Sequence, residues 1–317
     1  MIIETIDCEY TLPRYACAYL LIEEGRAAFV ENNTVHAVPK MLAALERHGL
    51  GPEAVDLCII THVHLDHAGG SSALMKACPS ATLVAHPRAA THVIDPSKLV
   101  RSAEAVYGAD RFRELYGVIE PIPEARVRVM DDGETLDFAG RTLRFLHTRG
   151  HANHHFVVHD PEAGVVFTGD AFGIAYPDQQ AHGVFAFPST SPTDFDGPLA
   201  RAAVDRILET GAETAYLTHF GGVTALETIA EQLKRTLEFS EDLMHEAAAS
   251  DVPDEALEAR IAPELKKHFE TRMAESGVER TDEQWGRLAM DVDLNAQGLA
   301  FAAAKKRKKA RASAAAG

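Results

Sequence analysis

Cysteine is scarce in this chain of 317 residues, which contains four and has no Cys-x-x-Cys pair. The four are widely spaced, so neither a disulfide framework nor a thiolate zinc site is expected. Long apolar runs are also lacking, since no stretch approaches the ~20 residues that a membrane-spanning helix needs. The opening MIIETIDCEY has no basic segment followed by an apolar one, as a secretion signal would have. These absences predict a cytoplasmic protein with no membrane span.

Positive charge is in deficit, because 31 lysines and arginines face 47 aspartates and glutamates, for a formal net charge of −16. A body of that sign repels nucleic acid and anionic membranes. Positive charge is concentrated in one run, KKRKKAR, from Lys305 to Arg311. Runs of like charge are usually solvated, so we interpret residues 305–317 as a basic disordered tail. We expect a small-molecule substrate and no nucleic-acid partner.

Strand and helix patterns alternate over residues 1–222 and predict an α/β domain of helices packed on sheet. Apolar runs such as residues 18–23, 55–60 and 165–168 are typical of strands. The composition becomes all-helical over residues 223–304, where two capping boxes, TALE and TDEQ, precede apolar stripes at helical spacing. These helices offer a contact for a homodimer. Either they or the long insertion at residues 87–125 can form the substrate pocket, and the sequence leaves both open.

The segment THVHLDHAGG places three histidines and one aspartate within six positions, directly after an apolar run. His62 and His64 are two residues apart and can point the same way while the chain stays extended. Asp66 and His67 fall where the next helix would begin, so they can face a different point. The motif can therefore present two ligand sets to two neighbouring ions. Three further candidates follow later strand-like runs: His151 in TRGHANHH, Asp170 in FTGDA and His219 in YLTHFGG.

These motifs resemble those of the metallo-β-lactamase superfamily of hydrolases over roughly residues 1–222. The resemblance implies a four-layer αβ/βα sandwich with the site along one edge of two packed sheets, followed here by a C-terminal all-helical extension. It also implies two ion sites that share one carboxylate: His62, His64 and His151 hold one ion, Asp66, His67 and His219 hold the second, and Asp170 bridges both.

The sequence departs from the family pattern at two places. The family's GHTPGH appears as GHANHH, so that His155 aligns with the second histidine and Asn153 replaces the proline. We expect His155 or His154 to orient a ligand or the substrate, and Tyr176, in the loop after Asp170, is a candidate substrate residue. The bridging position is aspartate rather than cysteine. That difference argues against hydrolysis of antibiotics and for the thioesterase, lactonase or phosphodiesterase branches.

Five imidazoles and two carboxylates offer only nitrogen and oxygen ligands. We expect two divalent ions, zinc foremost, with iron or manganese as alternatives. Ions about 3.5–4 Å apart can hold a bridging hydroxide that attacks an acyl centre. Asp66 is the expected catalytic residue, because it can bind metal and also orient the attacking oxygen. The predicted protein is a dinuclear metal-dependent hydrolase of an ester, thioester or lactone.

Three alternatives stay open on the same fold. A phosphodiesterase ranks lower because the acidic body disfavours long polyanions. A diiron redox protein would resemble the flavoprotein reductases, in which a glutamate replaces the second histidine and a flavodoxin-like domain follows; His64 and the helical C-terminus count against it. A ligand-sensing protein would keep the metal fold with little turnover.

Overall fold

The computed structural model describes residues 1–190 and 193–316. These form two compact units that are interleaved along the chain. Unit 1 comprises Met1–His147, His154–Gly169 and Thr210–Thr224, and unit 2 comprises Thr148–Asn153, Asp170–Glu209 and Ala225–Gly317. The predicted division into residues 1–222 and 223–304 follows neither unit and stays a prediction about domains.

Unit 1 contains two six-stranded mixed sheets. In the first sheet, antiparallel pairs join β1 to β2 and β2 to β3, and parallel pairs join β3 to β4, β4 to β5 and β5 to β6. Its strands are β1 Ile2–Asp7, β2 Cys17–Glu23, β3 Arg26–Val30, β4 Val55–Ile59, β5 Thr82–Ala85 and β6 Val127–Val129. Helices α1 Val38–Arg47, α2 Leu65–Ala68 and α3 Ser71–Ala77 lie between its strands in the chain.

The second sheet runs in the order β12-β11-β10-β9-β8-β7, with one parallel pair, β10 and β11. All its other pairs are antiparallel. Its strands are β7 Thr135–Phe138, β8 Arg141–His147, β9 Phe156–Asp160, β10 Val165–Gly169, β11 Thr214–Leu217 and β12 Gly221–Val223.

Strand β2 shows why strands of the first sheet have nearly continuous apolar sequences. Tyr19 and Leu21 belong to a core shared with Phe145 and other residues of the second sheet. Leu20, on the opposite face, belongs to a second core with Met41 of α1 and other helical residues. Because both faces are buried, the strand shows no polar alternation. The sheet is thus held between the other sheet and its own helices.

The insertion expected at residues 87–125 consists mainly of three helices, α4 Pro87–Ile94, α5 Ser97–Tyr107 and α6 Ala109–Tyr116. Phe112 and Tyr116 form a small apolar cluster with Leu65, the first residue of α2. The insertion is therefore packed against the helix that carries the DH pair of the HxHxDH motif.

The described residues of unit 2 contain four α-helices, α7 Gly197–Leu208, α8 Leu226–Ala249, α9 Leu257–Glu275 and α10 Asp282–Ala316. Helix α7 begins at a capping aspartate, since the Asp196 carboxylate accepts the Leu199 N–H. The predicted leucine stripe of α8 is buried, with Ile229 and Leu233 at most 1% exposed. Helices α7, α9 and α10 each pack against α8.

The predicted disordered tail needs correction, because α10 continues without a break through residues 305–316. Lysine, arginine and alanine, which make up most of this run, all have high helix propensity. Arg307 also docks the helix, donating hydrogen bonds to Ala247 O, Ala248 O and Ser250 O at the end of α8. Gly317, the last residue of the predicted tail, lies outside the described residues.

The predicted fold class is confirmed: the protein is an α/β sandwich of two mixed sheets flanked by helices, with a C-terminal helical region. All four cysteines are buried and none forms a disulfide. Within the described residues, no helix combines the length and the apolar character needed to cross a membrane.

Candidate metal centre

The histidine-rich segment leaves the end of β4, a strand inside the first sheet with parallel neighbours on both sides. Its backbone is tied to the second sheet, since Phe156 N donates to Thr61 O at 3.0 Å. Helix α2 begins at Leu65. Asp66 and His67 therefore lie on a helical turn whereas His62 and His64 precede it, as the spacing predicts.

Three predicted ligands of the second ion come together in unit 1. Asp66, His67 and His219 each place one ligand atom within 4.8 Å of the others. The Nε2 atoms of His219 and His67 lie 3.5 and 3.8 Å from Asp66 Oδ2. Both imidazoles are buried, but the Asp66 side chain is 29% exposed. The group is thus open to solvent on the carboxylate side.

The Nδ1 atoms of His67 and His219, on the far side of each ring from Asp66, lie close to polar groups of the protein. His219 Nδ1 lies 2.8 Å from Tyr15 O, and because a carbonyl only accepts, Nδ1 carries the proton. His67 Nδ1 lies 3.3 Å from the buried Glu31 carboxylate. A partner at Nδ1 leaves the lone pair of Nε2 for a metal, which is the arrangement that orients ligating histidines in metalloproteins.

The end of β3 supplies residues that sequence reasoning missed. Glu31, Asn32 and Asn33 are each 1% exposed, and the two asparagine N–H groups donate to His67 O. Asn33 Nδ2 donates to Asp66 O at 2.9 Å. These bonds fix the backbone of the Asp66–His67 turn. Three consecutive polar residues directly after an apolar strand were the signal that could have revealed them.

His62 and His64 form a second close pair, with His62 Nε2 and His64 Nδ1 2.7 Å apart. Thr61 Oγ1 lies 3.1 Å from His62 Nδ1, so this ring also has a partner at its far nitrogen. His62 is fully buried and its ring centre lies 4.0 Å from that of His67. The pair therefore adjoins the Asp66 group within unit 1.

His155 and His154, the predicted orienting residues, both lie beside this pair. His155 is fully buried and its ring centre is 4.9 Å from that of His62. His154 accepts the Val63 N–H at 3.4 Å, and its ring meets His64 edge-on at 5.4 Å. Both placements suit support of ligand rings, and their roles stay a prediction.

The two remaining predicted ligands lie together in unit 2. His151 Nε2 is 3.3 Å from Asp170 Oδ2, and both side chains are buried. His151 Nδ1 lies 3.2 Å from Ser189 O, so it also donates to a carbonyl. The same pattern of a held far nitrogen thus occurs in unit 2.

Tyr176, the predicted substrate residue, is fully buried in unit 2. Its hydroxyl donates to the Asp291 carboxylate of α10 at 3.1 Å, and the Arg287 guanidinium lies 5.5 Å from its ring centre. This placement favours a structural role in the helical region over contact with a substrate.

The residues present fit metal binding. The Asp66 group offers two imidazole nitrogens and one carboxylate oxygen, a donor set that suits zinc and also iron or manganese. One ligand atom from each of these three residues lies within 4.8 Å of the others. Taken together, these features define an α/β sandwich protein with a histidine and aspartate cluster that could bind a metal ion.

The chain belongs to the metallo-beta-lactamase superfamily, whose family model matches residues 22–219. This confirms the resemblance carried by the HxHxDH motif. The metallo-beta-lactamase fold-containing protein ST1585 of Sulfurisphaera tokodaii is 27% identical over 216 residues, which cover 68% of this chain and 78% of that protein.

Two further relatives are named as a hydrolase and a thioesterase. The hydroxyacylglutathione hydrolase of Aeromonas salmonicida is 26% identical over 162 residues, 50% of this chain and 48% of that protein. The acyl-coenzyme A thioesterase MBLAC2 of Gallus gallus is 28% identical over 134 residues, 38% of this chain and 43% of that protein. The match spans less than half of the length of each.

Solved structures support the fold over nearly the whole chain. The archaeal superfamily protein ST1585 superposes with a TM-score of 0.63 at 20% identity, covering 94% of this chain and 97% of that one. The family protein TTHA1429 from Thermus thermophilus superposes with a TM-score of 0.62 at 22% identity, covering 97% of this chain and 94% of that one.

Proposed function

We propose that the protein is a dinuclear metal-dependent hydrolase that cleaves a small thioester, ester or lactone. The observation that carries the proposal is the convergence of Asp66, His67 and His219, whose ring nitrogens are already oriented for a metal. The first ion would be held by His62, His64 and His151, the second by Asp66, His67 and His219, and Asp170 would bridge them.

Two divalent ions, when bound, supply a water of lowered pKa and polarise the acyl oxygen. Zinc is the ion we propose, because the donors are imidazole and carboxylate. The chain's own contribution is orientation. Asp66 is the partly exposed member of its group, so its second carboxylate oxygen can accept a hydrogen bond from an attacking water and aim it. The Glu31 carboxylate beside His67 and the Tyr15 carbonyl beside His219 help to fix the positions of this group.

Thioesters rank first among the substrates that we propose. The relatives named hydroxyacylglutathione hydrolase and acyl-coenzyme A thioesterase support that class. The net charge of −16 disfavours long polyanions, which places phosphodiesters lower. A cytoplasmic setting, a small-molecule substrate and a homodimer contact through the C-terminal helices belong to the same proposal.

Metal counting and turnover on the full-length protein test the function. Protein reconstituted with zinc should carry about two ions per chain and hydrolyse a thioester or lactone faster than a phosphodiester. A single ion or none after reconstitution contradicts the dinuclear site. Iron with flavin absorbance, or two ions with no turnover on any of these substrates, would favour the redox or ligand-sensing alternative.

Asp170→Asn tests the bridging assignment. The change keeps the shape of the side chain but removes a negative charge, so it should lose one ion preferentially and lower the maximal rate by at least about a hundredfold. His155→Ala is the matched control, because a residue that only supports a ligand ring should leave both ions bound and show a milder defect. If Asp170→Asn keeps two ions and full activity, the ligand set is wrong.

A further inference from the structure

Helix α10 carries apolar side chains on two opposite faces. Leu288 and Leu299 lie on the face that packs within unit 2, where both are fully buried and α10 contacts α8 and α9. Three further apolar residues lie on the other face, where Met290 is 38% exposed, Leu294 41% and Phe301 47%. The second face is therefore left largely open to solvent.

The exposed apolar residues of α10 form one line along the helix. Leu294 follows Met290 by four residues and Phe301 follows Leu294 by seven, which is the spacing of side chains on one helix face. Gln297 falls on the same line and is exposed too. Single exposed apolar residues are normal on a protein surface. Several that share one face of a helix are typical of a contact surface.

Charges of opposite sign lie at the two ends of this line. Glu283 precedes Met290 by seven residues, Lys308 follows Phe301 by seven, and both charged side chains are exposed. Neither forms an ion pair with any residue that the structure describes. The line is thus acidic at its start, apolar at its centre and basic at its end. We call it the α10 stripe, and it consists of Glu283, Met290, Leu294, Phe301 and Lys308.

We propose that the α10 stripe is the contact of a homodimer in which two α10 helices pack antiparallel about a twofold axis. A twofold contact uses the same surface twice, so residues at equal distances on either side of the axis lie opposite each other. An axis beside residues 295–296 places Met290 opposite Phe301 of the partner subunit. The same axis places Glu283 opposite the partner subunit's Lys308, which forms two ion pairs in each dimer.

A second copy suits the α10 stripe better than a nucleic acid or an anionic membrane does. Either of those would bind the basic end but leave the apolar centre uncovered, and the net charge of −16 on the chain would repel it. Two copies packed in parallel would place like charges opposite each other at both ends. Of these arrangements, only the antiparallel dimer covers the apolar centre and joins each acidic end to a basic one.

The proposal rests on the homodimer contact included in the proposed function, and it gives that contact a helix face and a register. Neither a metal nor hydrolysis is needed for two helices to pack. Measurements of mass on the full-length protein therefore test the α10 stripe separately from activity. Sedimentation velocity of the wild type should show a monomer–dimer equilibrium over the micromolar range.

Phe301→Glu tests the apolar centre. The new carboxylate would face Met290 of the partner subunit at two places in each dimer, so the dissociation constant of the dimer should rise at least about tenfold. Val106→Glu is the matched control, because it makes the same kind of change at an exposed apolar residue of α5, in unit 1. This control should leave the dissociation constant unchanged.

Reversal of charge tests the register. Glu283→Lys or Lys308→Glu alone sets like charges opposite each other at both ends, so each should raise the dissociation constant about tenfold. The double variant restores both ion pairs with their signs exchanged and should dimerise as the wild type does. If the two residues only stabilised α10 itself, the double variant would be the weakest of the three. Lys267→Glu, at an exposed position of α9, matches the change in net charge of Lys308→Glu and should have no effect.

The outcomes separate the α10 stripe from the proposed function. A protein that stays monomeric overturns both the stripe and the homodimer contact, even if its basic end binds a DNA duplex or vesicles of anionic lipid, and leaves the hydrolase assignment untouched. A dimer that Phe301→Glu does not weaken, or that the double variant does not restore, shows that two copies meet elsewhere and that the stripe is wrong. A dimer with all the expected responses but no turnover supports the stripe and rejects the hydrolase.

Discussion

His86 begins helix α4 as a neutral hydrogen-bond acceptor. Its Nδ1 accepts the Arg88 N–H at 3.0 Å, and its ring lies 4.1 Å, centre to centre, from that of His147. Burial, with further contributions from His147, His154 and Arg88, lowers the pKa of His86 from 6.5 to about 3. An imidazolium would have no acceptor for the helix N-terminus, so folding requires the uncharged ring.

The sign of the pH effect follows from that lowered pKa. The stabilisation from neutral His86 is complete above pH 6.5 and is lost as the pH falls toward 3, because the unfolded chain binds the proton first. His86→Asn keeps an N-cap acceptor and removes the titration. Between pH 7 and about pH 4.5, the melting temperature of the variant should therefore fall by less than that of the wild type. Equal losses in thermal scans of the two proteins would refute this.

Helix α2 and the end of β3 approach so closely that a glycine is required between them. Gly70 N donates to Asn33 O, and a Cβ on Gly70 would lie 2.6 Å from Asn32 O and 2.8 Å from Thr34 O. Both obstacles are backbone atoms, which cannot rotate away as a side chain can. The second glycine of THVHLDHAGG is thus part of the support for Asp66 and His67.

Gly70→Ala should therefore destabilise the protein by roughly 1–3 kcal/mol, since overpacking shifts backbone, and should weaken zinc binding. Gly286→Ala is the opposite control. Gly286 lies in α10 with nothing within 4 Å of an added Cβ, so alanine should raise stability by about 0.5–1 kcal/mol through helix propensity. Urea unfolding and zinc titration of both variants test these expectations. A Gly70→Ala protein with the wild-type free energy of unfolding and the wild-type affinity for zinc would contradict them.

Arg307 ties the end of helix α10 to the end of α8. The Arg307 guanidinium donates to four carbonyls at the end of α8 and in the turn after it, and pairs with Asp254 at 2.8 Å. Arg307→Ala leaves those carbonyls without their donor and should cost roughly 2–3 kcal/mol of stability. Lys308→Ala, at an exposed neighbour, should change stability by less than about 0.5 kcal/mol. Equal thermal melts for the two variants would show that the arginine is dispensable.

At the scale of the whole molecule, local patterns predicted the sandwich well. Both faces of β2 and of β4 are largely buried, so their sequences are mainly apolar and easily recognised. The HxHxDH spacing likewise predicted that the side chains of Asp66 and His67 would point in a different direction from those of His62 and His64. The reason is that the end of a strand and the start of a helix differ in geometry.

Features that depend on distant segments escaped prediction. Glu31 supports His67 across 36 positions, and Tyr10 bonds Tyr116 across 106. The spacing of apolar and polar residues within one segment carries no information about a contact with a distant segment. The basic run at residues 305–311 was predicted to be solvated because nearly all of its side chains are charged. The role of Arg307 depends on carbonyls more than 50 residues earlier, at the end of another helix.

The interleaving of the two units has a consequence for synthesis on the ribosome. Unit 1 is complete once Thr224 has emerged, before any residue of α8, α9 or α10. Unit 2 must wait for those helices, because Tyr176 and Thr190 bond Asp291 and Asn295 of α10. Domains generally fold as units while the chain is still growing. Asp66, His67 and His219 can thus come together on a nascent chain whose last helices have yet to be translated.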